Sequence, residues 1–283
     1  MRTLIHLLIT TVTLIWSTNT VCQGQQAYVS SPDGVKIFYE VLGEGDPALV
    51  FVHGWSCDRN YWVGQLLPFS AKLKVVALDL AGHGESGSER HQYTMSAFGG
   101  DVEAVVNKLG LEKVILVGHS MGGDVIAEAA RRLKGKVVGL IMVDTYKQLR
   151  TPRTPEQVEK FITPFRENFV VQTRSLVREM FLPGSDKSLV ERIALDMSAA
   201  PTDVALSALE YAFSYSREMP TALRELKLDV IFINPDDSPT DVESLKQYGG
   251  EVIIMPGVGH FLMIEDVKRF NQLLTTAIEM LIK

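Results

Sequence analysis

Cysteine is nearly absent: Cys22 and Cys57 are the only two in 283 residues. That excludes a disulfide-stapled scaffold and a four-cysteine metal site. A basic excess is missing too. Twenty-eight Lys and Arg stand against 34 Asp and Glu, a formal net charge of −6. That balance speaks against a nucleic-acid binder that works by neutralising phosphates. No block of like charge marks a polybasic membrane arm, and no metal cluster or cofactor fingerprint is visible. What is present is ordinary for a well-cored protein, with 46% apolar and 22% charged residues. The length allows one large domain or two small ones. An enzyme or a binder of small molecules fits these limits.

The first residues read as a leader. Met1-Arg2 supplies a positive start, Leu4 to Trp16 is largely apolar, and Val21-Cys22-Gln23-Gly24 closes the stretch with small residues. This is the pattern of a secretory signal, cleaved after Gly24. The apolar part is too short to span ~30 Å of hydrocarbon comfortably, so no stable membrane span is expected in the mature protein. Export to the periplasm or the exterior is the expectation. A lipid anchor on Cys22 is disfavoured, because bulky Val21 precedes it. With residues 1–24 removed, Cys57 is the sole thiol and no internal disulfide can form.

From Tyr28 onward, strands alternate with helices. Val35 to Val41 alternates between turn signals and reads as an early hairpin strand. Ala48–Val52, Lys74–Leu78, Val114–Val117, Val137–Val143, Val230–Ile233 and Glu251–Met255 are continuous apolar runs, as strands buried on both faces should be. Helical patterns such as Met95 to Lys108 and Met121 to Leu133 lie between them. The alternation predicts a mostly parallel, doubly wound α/β sheet. It breaks between Val143-Asp144 and Val230. There Thr154-Pro155-Glu156-Gln157 reads as a capping box with Pro at N1. Phe161, Phe165 and Phe169 follow at helical spacing, with Pro164 expected to kink or break the helix. Pro201-Thr202-Asp203 starts another helix. Residues 145–225 are therefore expected to form a helical lid over the sheet's C-terminal edge, with 25–144 and 226–283 as the core.

Four segments carry chemistry. Gly118-His119-Ser120-Met121-Gly122-Gly123 follows a buried strand and opens a helix, the setting of a nucleophile elbow. Ser120 would project above the sheet beside free N–H groups at a helix N-terminus. Phe51-Val52-His53-Gly54-Trp55 ends another buried strand in a tight turn. The Trp55 and Met121 backbone N–H groups can then form a two-donor oxyanion hole, while the His53 ring braces the loop. Gly257-Val258-Gly259-His260 places a histidine on a glycine-flexed loop, a residue type suited to moving the Ser120 proton. The acid that orients it has three candidates at strand ends: Asp236, the first choice, then Asp237, then Asp144. The one of Asp236 and Asp237 that is not used would cap a helix starting near Thr240. Asp79 to Ser86 lacks the lysine of a phosphate loop and reads as a turn fixed by Asp79 and Ser86.

These segments together resemble the α/β-hydrolase fold superfamily, in particular its lid-bearing esterases and carbon–carbon bond hydrolases. The resemblance runs from about Tyr28 to Lys283. It implies an eight-stranded sheet, a serine–histidine–acid triad, and oxyanion donors at Trp55 and Met121. Epoxide hydrolases and haloalkane dehalogenases of that superfamily carry Asp at the nucleophile position, so Ser120 speaks against both. One departure stands out: the acid loop of such proteins reads Gly-x-x-Asp, and Asn234-Pro235-Asp236-Asp237 replaces its glycine. The expected activity is cleavage of an ester-like bond in a small, partly apolar substrate through an acyl-enzyme on Ser120, with no cofactor and no metal. The alternatives are a carbon–carbon bond hydrolase, lactonase, peptidase or perhydrolase with the same triad, or a hydrolase-fold receptor without turnover. Phe161, Phe165, Phe169, Met180, Phe181, Tyr211 and Phe213 are the lid residues that could meet such a substrate, most of them filling the lid's own core.

Overall fold

Short apolar runs between turn signals become strands because β-branched and aromatic side chains pack well on a pleated surface. In the computed structural model, which describes residues 24–283, eight such runs join one sheet. The expected leader, Cys22 included, lies outside the described residues except for Gly24. The strands are β1 (Gln25–Ser30), β2 (Lys36–Leu42), β3 (Ala48–Val52), β4 (Val75–Leu78), β5 (Val114–His119), β6 (Val137–Val143), β7 (Asp229–Pro235) and β8 (Gly250–Met255). Their order is β1-β2-β4-β3-β5-β6-β7-β8. Only β1 with β2 and β2 with β4 run antiparallel; the rest of the sheet is parallel. The expected doubly wound, mostly parallel sheet of eight strands is thus the fold.

Helices cover both faces. The crossovers are α1 (Val63–Ser70), α2 (Met95–Lys108) and α3 (Met121–Arg132). Every residue of β3 and β5 is buried beneath these layers. Five helices are inserted between β6 and β7: α4 (Pro155–Glu167), α5 (Phe169–Glu179), α6 (Lys187–Met197), α7 (Thr202–Tyr215) and α8 (Met219–Leu226). After β7 come α9 (Val242–Lys246), α10 (Leu262–Glu265) and α11 (Val267–Leu281). Among the described residues no helix is long and apolar enough to cross a membrane.

The capping box forms at α4 as read, with Thr154 accepting from the Gln157 N–H and Gln157 reaching back to the Thr154 N–H. Pro164 does not break α4 on the spot. The helix runs on to Glu167 and hands over at Asn168, whose side chain caps α5. Pro164 lacks the N–H that would reach the Lys160 carbonyl, so α4 forfeits one hydrogen bond there and continues. Neither Asp236 nor Asp237 caps a helix. Asp241 takes that role, accepting from the Ser244 N–H at 3.0 Å.

Among the bonds that fasten the insertion to the core, two involve residues of the site. The Trp55 indole N–H donates to the Ala205 carbonyl at 2.7 Å, and the His260 N–H donates to the Met180 carbonyl at 2.9 Å. The turn after β4 is fixed as its residues suggested. The buried Asp79 carboxylate accepts from the Arg59 backbone and guanidinium and from the Glu85 N–H. Ser86 Oγ donates to the Asp79 carbonyl.

Candidate active site

β5 delivers the chain into a bend that L-residues avoid. Ser120 has φ +53° and ψ −120°, a conformation that costs on the order of 1–3 kcal/mol and must be imposed by its surroundings. The imposition is visible. The Ser120 N–H donates to the Val143 carbonyl and the Gly123 N–H returns to the Ser120 carbonyl, both at 2.9 Å. Two glycines let the turn close: a Cβ on Gly118 would run into the Gly122 carbonyl, and one on Gly122 would sit 2.5 Å from the Val52 carbonyl oxygen. The hydroxyl therefore stands at the head of α3, as its motif suggested.

Opposite it, β3 ends in the His53-Gly54-Trp55 turn. Among the described residues, neither the Trp55 nor the Met121 backbone N–H donates to a protein acceptor. Two unpaired donors beside one hydroxyl are what an oxyanion requires. The His53 ring is a brace, not a base. Its Nε2 accepts from the Leu80 N–H at 3.0 Å, so Nδ1 carries the proton and donates to the Gly54 carbonyl at 2.8 Å. Burial lowers its pKa to about 4, which keeps it neutral.

His260 is gripped on both sides. Its N–H is held by Met180, and its carbonyl accepts from His119 Nε2 at 2.9 Å. The loop before it is tied down by the Glu265 carboxylate, which accepts from the Gly259 and Phe261 N–H groups. The His260 Nδ1–H donates to Asp144 Oδ2 at 2.6 Å. That leaves Nε2 as the nitrogen with a free lone pair. Burial pushes the Asp144 carboxyl up, but the His260 hydrogen bond and the nearby charges of His260 and Lys147 outweigh it and hold the group below the usual carboxylate range.

This corrects the order of the acid candidates. Asp236, the first choice, accepts from the Gly257 N–H at 2.9 Å on an exposed loop. Asp237 pairs with Lys147 Nζ at 2.8 Å, also at the surface. The residue that meets the imidazole is Asp144, the last choice. The physical reason lies in the ends of two adjacent strands. β7 closes with Pro235 and its loop turns outward. The Asp144 N–H donates to the Ile233 carbonyl and φ of +43° turns its side chain back over the sheet. Several bonds then stitch the following residues to the end of β7. Asn234 Nδ2 donates to the Tyr146 carbonyl, and Lys147 Nζ donates to the Pro235 carbonyl while lying 3.2 Å from Asp144. The Asp241 N–H donates to the Lys147 carbonyl, and the Leu149 N–H donates to Ser244 Oγ.

Ser120, His260, Asp144, Trp55 and Met121 border one cavity of about 370 Å³. From the insertion, Phe161, Leu176, Met180, Leu209 and Phe213 also line it. Phe165 and Phe169 instead pack edge-on against the Trp55 ring, and Phe181 stacks on Phe261. Of the seven insertion side chains singled out above, three reach the cavity and four fill packing elsewhere. Phe165, Phe169 and Phe181 thus pack on rings of the core rather than in the lid's own interior, where they were expected.

Two further groups were not legible. His119 is buried beside His260, with ring centroids 4.5 Å apart; burial and that neighbour lower its pKa to about 3, so it is a neutral hydrogen-bond donor. Asp124 lies one helical turn beyond Ser120 on the cavity wall and accepts from the Tyr146 hydroxyl at 2.8 Å. Its only sequence signal is the four-residue spacing from Ser120. Burial pushes its carboxyl up to about 8, against the pull of Tyr146 and Arg153. In the unfolded chain an aspartate titrates near ~3.9. Between those values the unfolded state gives up a proton that the folded state keeps, so this group's share of stability falls as pH rises through the window. Asp124→Asn removes that share. Its urea midpoint relative to the parent protein is expected to climb between about pH 5 and about pH 8. A difference that stays constant would refute the assignment.

A sequence profile described as the alpha/beta hydrolase family matches residues 49–273. A non-heme haloperoxidase of Rhodococcus erythropolis is 38% identical over 154 residues, 52% of this chain and 55% of that protein. A bifunctional esterase/perhydrolase of Acinetobacter calcoaceticus is 34% identical over 153 residues, with the same two shares. The chain thus spans about half the length of these curated relatives. Among solved structures, a thermophilic esterase from Thermogutta terrifontis superimposes with a TM-score of 0.77 at 23% identity, over 92% of this chain and all of that one. An esterase from Exiguobacterium antarcticum gives the same score at 18% identity, over 90% of this chain and 100% of that one. At such identities the likeness is one of fold.

Proposed function

The chain belongs to the alpha/beta hydrolase family, and from that premise we propose that it is a serine hydrolase cleaving an ester-like bond of a small, partly apolar molecule. The single observation that carries the reading is the 2.6 Å bond from the His260 Nδ1–H to Asp144, on a cavity shared with Ser120 and two unpaired N–H groups.

In the proposed reaction Ser120 Oγ attacks the carbonyl carbon while its proton passes to His260 Nε2. The resulting imidazolium is stabilised by Asp144, which stays ionised. The oxyanion accepts from the Trp55 and Met121 N–H groups, each worth on the order of 3 kcal/mol in the barrier. Collapse expels the alcohol, which takes the proton from Nε2 and leaves the acyl group on Ser120. Water then gives a proton to Nε2 and attacks the acyl carbon. A second collapse returns that proton to Ser120 and releases the acid. The five inserted helices act as the lid, with Phe161, Met180 and Phe213 as its apolar lining.

The names of the two curated relatives favour one variant. With hydrogen peroxide in place of water, the same acyl-enzyme would yield a peracid. Assaying peracid from acetate esters and peroxide measures that share. The main reading is tested by covalent labelling with a fluorophosphonate. We expect stoichiometric labelling at Ser120 in the folded protein. No labelling of folded protein would favour a receptor without turnover.

A further inference from the structure

Outward from the catalytic cavity lies a second, open chamber of about 700 Å³. The two share Thr145, Tyr146, Arg153, Phe161 and Phe213, so those five residues form the neck between them. The charges on these walls are unequal. Lys147 in the outer chamber is already shared between Asp144 and Asp237. Asp144 is bound to His260 as well. Arg153 is different: among the described residues its guanidinium pairs with no carboxylate, and at this exposed position its central carbon lies over the Phe213 ring, 4.4 Å from the centroid. On the inner wall Asp124 is 5% exposed, and its Oδ2 has no protein donor or acceptor. Thr145 Oγ1 is buried without a partner, packed against Gly123 of α3 rather than open to the neck.

We propose that the substrate carries a carboxylate, apart from its scissile ester, which is received at this neck by the Arg153 guanidinium and the Asp124 side chain. The inference rests on the hydrolase reading for the ester and adds the substrate's class: a half-ester of a dicarboxylic acid. A planar guanidinium backed by an aromatic ring is preorganised for a carboxylate's two oxygens. Asp124 does not oppose an anion there. Burial keeps its proton on near neutrality, with Oδ1 engaged by Tyr146, so Oδ2 can offer that proton to a carboxylate oxygen. An uncharged ester would make no use of the Arg153 guanidinium or of Asp124 Oδ2 at the neck.

Monomethyl adipate and methyl hexanoate have the same chain length and differ by a carboxylate in place of a methyl group. Calorimetric titration of Ser120→Ala with each reads binding without turnover. Monomethyl adipate is expected to bind about tenfold more tightly, the scale of one charge-assisted hydrogen bond. In Ser120→Ala/Arg153→Gln the ratio should fall to about one, whereas Arg153→Lys and Asp124→Asn, which keep a charge and a donor respectively, should retain part of it. Equal binding of the two esters, tighter binding of methyl 6-aminohexanoate, or a preference that survives Arg153→Gln would overturn the proposal. Fluorophosphonate labelling of the parent protein reports on the hydrolase reading separately.

Discussion

Ser120→Ala is expected to lower kcat/KM on a short p-nitrophenyl ester by about 10⁵-fold or more, with an unchanged melting temperature. The size follows from the role proposed for the hydroxyl: without it no acyl-enzyme would form, and the oxyanion donors would have only unassisted water to help. His260→Ala should fall to a similar floor. The double variant should fall no further, because nucleophile and base act as a unit and their losses do not add. Alanine fits the bend about as well as serine does, so a folded, inert protein is the expected product. Ser120→Ala retaining more than a few per cent of activity would place the nucleophile elsewhere.

The second large effect separates three aspartates. Asp144→Asn is expected to cost about 10³–10⁴ in kcat, since an amide at that position presents a donor to Nδ1 and favours the wrong tautomer. Asp236→Asn removes only a carboxylate accepting from Gly257 on an exposed loop. Asp237→Asn removes one end of a partly exposed pair with Lys147. Exposed pairs contribute on the order of 1 kcal/mol or less, so both variants should stay within about threefold of the parent protein. Steady-state kinetics on the three variants decide it. A collapse in Asp236→Asn with a mild effect in Asp144→Asn would reverse the assignment.

The fold was legible because its signals are local. Continuous apolar runs mark buried parallel strands, and the three glycines around Ser120 mark a bend in which side chains would collide. The same holds for the His53-Gly54-Trp55 turn, whose geometry its own residues dictate. The acid was not legible in this way. Which of three carboxylates meets His260 depends on how far β6 and β7 extend side by side, and no spacing along the chain reports that. One hint existed: Asp144 directly follows a seven-residue apolar strand adjacent to the Ser120 strand, with Lys147 three residues on. Asp124 and Arg153 were hidden for another reason. Each is an ordinary helix or loop residue by sequence, and only the inserted helices give it a cavity to face.

The stitching of residues 144–149 to the end of β7 has a mechanical consequence. The acid and the inserted helices share one stretch of chain, so a rearrangement of those helices could in principle drag Asp144 off its histidine. The bonds at Tyr146 and Lys147 clamp the first steps of that stretch to the end of β7, and the bond at Leu149 ties it to α9. The pivot for any such rearrangement is thereby displaced to Arg150 and beyond, where the backbone is exposed. A rearrangement of the cap would therefore reach the histidine through the Met180 carbonyl, which holds the His260 N–H, rather than through Asp144.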